Sequence, residues 1–335
     1  MKKVFYKMAL AAVLALTTLF TGCKAPSSGG GSAYNPPEKN IPLTLEAIAD
    51  GQITFDNLDR IINLKYKLND GELTAAKDSG ISVSQNDIIT FFGEGTNNTD
   101  SSYFTINCSS DCYVYGNAMS LLTADYQTTA TITQYYAFAF LFYNNSHIKN
   151  CPSKNFVLPA TTLAYGCYKY MFSGCSSLTQ APELPATTLA YGCYYCMFSG
   201  CASLTQAPAL PATTLANSCY SSMFHGCTKL TQAPVLPATT LANYCYRSMF
   251  NKCTSLTQAP ELPVTTLAYG CYYEMFKGCT SLNKVTCLAT DLSAADCTTN
   301  WLSGVASSGT FTKASGADWS SGTSGIPAGW TVQNK

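Results

Sequence analysis

LPATTLANSCYSSMFHGCTKLTQAPV, residues 210 to 235, is the third of five copies of one 26-residue unit; the other copies start at Leu158, Leu184, Leu236 and Leu262. A fixed period of roughly 20 to 50 residues marks a repeat array, in which each unit buries its apolar face against its neighbours. One unit alone cannot be stable. Its buried Leu, Cys, Met and Phe contribute about 1.5 to 3 kcal/mol each, while ordering the chain costs about 1.5 kcal/mol per residue. Stacking supplies the difference, so folding is expected to be cooperative across neighbouring coils.

The copies differ from one another in an ordered way. Positions 6, 10 and 14 are Leu, Cys and Met in every unit (Leu163, Cys167 and Met171 in the first), and positions 11 and 15 are Tyr and Phe (Tyr168, Phe172). Read as i, i+4 and i+8 spacings, these columns form one apolar stripe and predict a helix. Thr161 and Thr162 would cap its start, and Gly174, Gly200, Gly226 and Gly278 would end it in a left-handed residue, with Lys252 standing there in the fourth copy. A second invariant Cys follows (Cys175, Cys201, Cys227, Cys253, Cys279), then a Leu and an extended Thr-Gln-Ala-Pro arm. Helix, turn and arm, repeated, predict an α/β solenoid of 26-residue coils.

The varying positions 8, 9, 12, 13 and 16 fall on the face opposite the stripe. They make the candidate binding surface: Tyr165, Lys169, Tyr170, Tyr191, Tyr195, Asn217, Ser221, His225, Asn243, Arg247, Asn251, Tyr269, Tyr273, Glu274 and Lys277.

The cysteines first invite a metal or disulfide reading. Stacked coils would hold equivalent Cβ atoms about 4.8 Å apart, wider than the roughly 3.5 to 4.5 Å a disulfide prefers. Small buried thiols packing the core are the expectation instead. Cys193-Tyr-Tyr-Cys196 has no companion pair or neighbouring His, so it does not read as zinc ligation, and Cys196 on the variable face is the candidate reactive thiol. Cys108 and Cys112 flank a turn between two strands and are read either as a local disulfide or as two buried thiols; the states of Cys287 and Cys297 are open as well.

SGCSSL and GCTSL before a Pro-ended extended arm resemble the leucine-rich repeats of the BspA-like class of bacterial surface proteins, over residues 158–287. The arm is one residue longer than usual in that class and carries an extra Pro (Pro182, Pro208, Pro234, Pro260), which removes donors from a parallel ladder. The resemblance implies adhesion to host or bacterial surface proteins or glycans.

Upstream, residues 1–22 carry Lys2, Lys3 and Lys7, then an apolar run too short to span a bilayer, as in a secretory signal. Leu19-Phe20-Thr21-Gly22-Cys23 resembles a bacterial lipobox, which implies lipidation at Cys23 and a place in the cell envelope; the outer membrane with surface exposure is the expected location, which membrane face is open, and the plain alternative is a cleaved signal with an incidental Cys. Residues 23–40 are a Gly/Ser- and Pro-containing tether. Residues 41–116 alternate apolar and polar in short runs around turn residues and predict a small β-sandwich, and 117–157 a linker with a degenerate capping coil, Phe142 taking the place of Phe172. Asp50, Asp56, Asp59, Asp70, Asp78 and Asp87 lack an ordered calcium-loop spacing and read as turn chemistry. Residues 288–335 hold Trp301, Trp319 and Trp330, an aromatic lid for the last coil.

With 19 basic and 19 acidic residues the chain lacks the basic footprint of a nucleic-acid binder. Its two histidines, His147 and His225, lie in different coils, which leaves the common nucleophilic sites without a base. No cofactor or metal is expected. The reading is a non-catalytic, lipid-anchored binding surface; the alternatives are an envelope spacer without a ligand and a carbohydrate-active enzyme working with two carboxylates.

Overall fold

The computed structural model describes residues 37–335, so the expected signal, the lipidation site Cys23 and most of the tether lie outside the described residues. The first eight strands are β1 (Thr44–Ala47), β2 (Gly51–Asp56), β3 (Lys65–Leu68), β4 (Thr74–Ala75), β5 (Ile81–Val83), β6 (Ile88–Phe92), β7 (Thr105–Cys108) and β8 (Cys112–Asn117). β1 lies between β6 and β8, antiparallel to both, and β6 continues to β3 and β4; a second sheet runs β5-β2-β7. Period-2 patterning explains the faces: Ile53 and Phe55 of β2 and Ile89 and Phe91 of β6 are buried between exposed or half-buried neighbours. The sheets meet through these rings, Phe55 standing edge-on to Phe91 at 6.2 Å and stacking on Phe104 at 5.9 Å. Two of the predicted turn aspartates bond nearby amides: Asp50 accepts from Gln85 N, and Asp87 from Ser84 N and Asn69 Nδ2, each at 2.8 Å.

Strands β9 (Ile148–Asn150) and β10 (Phe156–Val157) pair parallel with β8 and carry the first sheet toward the repeats. Between β8 and β9, residues 136–144 already run in register with the first unit: Phe138 N donates to Cys167 O at 2.8 Å, Phe142 N to Met171 O at 2.9 Å, and the Phe142 ring stacks on Phe172 at 5.5 Å.

The repeats overturn the expected α/β solenoid. That architecture needs a helix and a strand in each coil, and between β10 and β11 (Lys284–Cys287) the chain has neither. Its only helical pieces among the described residues are short 3-10 turns at Pro37–Asn40, Leu58–Arg60 and Ala118–Leu121. Where a helix was expected, a ribbon of linked turns stands. Odd-numbered amides bond three residues back (Lys169 N to Gly166 O, 3.0 Å; Met171 N to Tyr168 O, 3.2 Å). Even-numbered amides cross to the next unit (Tyr168 N to Cys193 O and Phe172 N to Met197 O, both 2.9 Å), and the pattern recurs from unit to unit (Tyr194 N to Cys219 O, 3.0 Å). Every amide from Gly166 to Cys175 is thereby satisfied without a helix, as buried backbone requires.

The turns close on a left-handed residue every four positions: Gly166 (φ 56°), Tyr170 (φ 55°) and Gly174 (φ 79°) in the first unit, Ser218, Ser222 and Gly226 in the third. The glycines expected to stop a helix are left-handed, and so is Lys252 (φ 62°), but each ends one turn of the ribbon. Thr161 and Thr162 cap nothing: both amides donate to Ala130 O, and Thr162 bridges Thr188 of the next unit. The physical reason lies in the spacing. A helix advances about 100° per residue, so a strict four-residue repeat drifts about 120° over twelve residues, whereas the ribbon keeps Leu163, Cys167, Met171 and Cys175 in the core, none of them more than 5% exposed. Their columns stack from unit to unit, Tyr168-Tyr194-Tyr220 at 5.6 Å per step and Phe172-Phe198 at 5.7 Å.

The first three arms meet through isolated bridges, Gln180 to Gln206 and Gln206 to Gln232, and form no continuous ladder, because Pro removes the donors one needs. Unit five carries Thr286 where the others have Pro, and there β11 forms, pairing parallel with β12 (Thr310–Lys313), which pairs with β13 (Thr331–Asn334). Trp301 closes the aromatic columns, stacking on Tyr272 at 6.0 Å and on Trp319 at 5.3 Å while its Nε1 donates to Gly325 O at 2.9 Å.

Candidate binding surface

The ribbon sorts its side chains by position. Tyr168, Met171 and Phe172 turn inward, and so do both Cys columns. Position-18 thiols do more than fill space: Cys201 Sγ donates to Phe172 O at 3.1 Å and Cys227 Sγ to Phe198 O at 3.2 Å, each carbonyl also accepting from a backbone amide three residues on. The described cysteines are all free thiols.

Outward columns carry the variation. Tyr165, Tyr191, Asn217, Asn243 and Tyr269 are exposed in successive units, as is Arg247, and Lys169, Tyr170, Tyr195, His225, Tyr273, Glu274 and Lys277 are half-buried. Two members of the expected surface leave it: Ser221 and Asn251 are buried. Asn251 Nδ2 donates to Glu274 at 3.4 Å, and its Oδ1 has no partner. Cys196 is a third correction. It lies in the αL bend (φ 53°) but is buried, and that burial pushes its thiol up, against the reactive role expected of it.

Two clusters organise the face. At the N-terminal end Tyr165 and Tyr191 stack at 5.0 Å and 8°, Tyr135 lies 5.8 Å before them, and Lys169 is held over Tyr195, Tyr170 and Tyr136 at 5.4, 5.8 and 5.9 Å while bonding Asp100. Cations over aromatic faces are stabilised by the ring quadrupole. Further along, Arg247 covers Tyr273 at 5.1 Å and Tyr244 at 5.6 Å, and Lys277 bonds Glu274 at 2.7 Å. His225 reaches Ser199 Oγ at 3.4 Å; burial, then the nearby Lys252 charge, hold its imidazole below the usual range.

Tyr135, 67% exposed, and Asp100 join this face without having been expected there. Tyr135 was legible: placing Phe142 opposite Phe172 also places Tyr135 opposite Tyr165. Asp100 was not, because it arrives from the loop between β6 and β7. A separate cluster lies at the start of β8, where Asp111 accepts from Lys149 Nζ at 2.5 Å and faces His147 Nδ1 at 3.0 Å. The Lys149 and His147 contacts hold the Asp111 carboxyl below its ordinary value. Among the described residues no group of three or more His, Cys, Asp or Glu is placed to hold a metal ion, and no helix is long and apolar enough to cross a membrane.

No family model, curated protein or solved structure matches the chain.

Proposed function

We propose that this chain is a non-catalytic binding protein, lipid-anchored at Cys23 in the cell envelope and presenting the outward columns of its ribbon to proteins or glycans on other cells or their matrix. One observation carries the reading: the core columns do not change from unit to unit while the outward ones do, and they open on an exposed ladder, Tyr135-Tyr165-Tyr191. Tyrosine supplies a large apolar face and a polar tip at low entropic cost, the combination enriched where binding energy concentrates. The lipobox resemblance and the BspA-like resemblance of the repeats supply the envelope and adhesion parts of the proposal.

The test is a binding screen of residues 35–335, a compact unit by itself, against immobilised matrix proteins and an array of glycans. The fragment starts at Asn35 because Asn117 Nδ2 and Tyr126 OH bond the Lys39 and Asn40 carbonyls at 3.0 and 3.1 Å. A ligand is expected whose binding falls at least about tenfold, or 1.4 kcal/mol, on replacing the three ladder tyrosines by Ala. Binding that survives those replacements refutes the assignment of the ribbon face.

A further inference from the structure

The stack has a break on its arm side, between the third and fourth units. Arms one to three are joined by Thr205 N to Thr179 O and Thr231 N to Thr205 O, both at 3.3 Å, and by the Gln180-Gln206-Gln232 bridges. The next step is missing. Among the described residues Thr257 N finds no backbone acceptor, Thr231 O no donor, and no bridge joins Gln232 to Gln258. On its other edge the fourth arm is joined to the fifth, which forms β11: Gln258 bridges Lys284, Asn283 N donates to Thr257 O at 3.0 Å, Ala259 N to Lys284 O at 2.9 Å and Leu262 N to Thr286 O at 3.0 Å. On the ribbon side the same two units stay joined, Ser222 N to Arg247 O at 2.7 Å and Phe224 N to Met249 O at 2.9 Å. The arms therefore part while the core does not, and a cleft of about 850 Å³ opens between Thr231–Pro237 and Thr257–Pro263. That volume is within the range of ligand sites, roughly 300 to 1,000 Å³.

The chemistry of the walls selects an occupant. The Thr257 amide and the Thr231 carbonyl stand open on the two walls; Pro234 and Pro260 line them but are buried, and Val235 is 79% exposed. The one charged residue lining the cleft is Glu261, and it already draws a cation, the Lys335 side chain, from this chain's own C-terminus. We infer that this cleft receives an extended segment of a partner protein, which continues the interrupted parallel ladder, lays small or β-branched side chains against Val235, and brings a Lys or Arg to Glu261. Backbone bonding of this kind supplies affinity, and alternate side chains supply selection. A glycan would leave the paired amide and carbonyl register of the two arms unused.

The probe is a phage-displayed library of linear random peptides, panned over residues 35–335. The expected result is enrichment of uncharged or singly basic sequences rich in β-branched residues. Their synthetic versions should slow hydrogen exchange at the Thr257 amide, bind Val235→Trp at least roughly tenfold more weakly, and bind the Tyr165→Ala/Tyr191→Ala variant as they bind the wild type. Val235 is exposed, so its replacement leaves the core intact, and the exchange measurement on wild-type protein stands even if the variant does not fold. Three results would each overturn the inference: no enrichment; enriched peptides indifferent to Val235→Trp; or peptides that leave the Thr257 amide unprotected. Loss of binding in the tyrosine variant alone would return the peptides to the ribbon face, a result separate from failure of that face to bind its own ligand.

Discussion

Replacing Gly192 by Ala separates the turn ribbon from a helix by the sign of its effect. Gly192 is left-handed, at φ 57°, and a Cβ added there meets only Tyr195 Cβ, at 3.8 Å, so steric crowding is not at issue. Holding an L-residue in this region costs about 1 to 2 kcal/mol. Loss of glycine's freedom in the unfolded chain returns about 0.4 to 1 kcal/mol, leaving a net destabilisation of about 1 kcal/mol. In a helix interior the same change would stabilise by about 0.8 to 1 kcal/mol, so the two structures differ by about 2 kcal/mol and in direction. The assay is urea unfolding of residues 35–335, comparing midpoints at constant slope. Gly192→Asn serves as control; Asn tolerates the left-handed region and should lose less than Ala. A Gly192→Ala midpoint above that of the wild type would refute the reasoning.

Three further outcomes follow from particular groups. The Tyr220 hydroxyl is buried without a hydrogen-bond partner, so Tyr220→Phe should leave the unfolding free energy in urea unchanged or raise it by up to about 1 to 3 kcal/mol of recovered desolvation; a marked loss would reveal a missed partner. Asp111 has a lowered folded pKa, from the Lys149 and His147 contacts, so its contribution is fully present above the unfolded aspartate value near pH 3.9 and fades as pH falls through the lower folded one. Asp111→Asn should flatten that part of a stability curve measured from pH 5 downward, and an unchanged acid limb would contradict the assignment. In the folded fragment a thiol reagent should label Cys151, the one described cysteine that is not buried, well before Cys196; mass spectrometry of the labelled peptides decides the order, and early labelling of Cys196 would contradict its burial.

The period, the inward columns and the left-handed glycines were legible because each unit repeats its neighbour, and five copies separate what the core fixes from what it leaves free. The backbone between them was misread for a definite reason. Apolar residues four apart suit one turn of helix, and only over three steps, Leu163 to Cys175, does the drift of a helix become too large for one face. Gly166, Gly192 and Gly270, three glycines in the middle of an expected helix, carried the same message. In the N-terminal region the short alternating runs predicted over 41–116 are strands such as β5 and β6, and the alternation of Ile53 and Phe55 with their neighbours marks β2. The cleft between the third and fourth arms was beyond sequence reasoning. The third and fourth arms carry the same Thr-Gln-Ala-Pro as the arms that are joined, so nothing in the sequence marks the step at which the bridge is missing.

Far-UV circular dichroism of residues 35–335 tests the central claim, ribbons of linked turns in place of helices, most directly. The account predicts a spectrum of strand and turn without the paired minima of α-helix. A helical contribution matching one helix per repeat would contradict it.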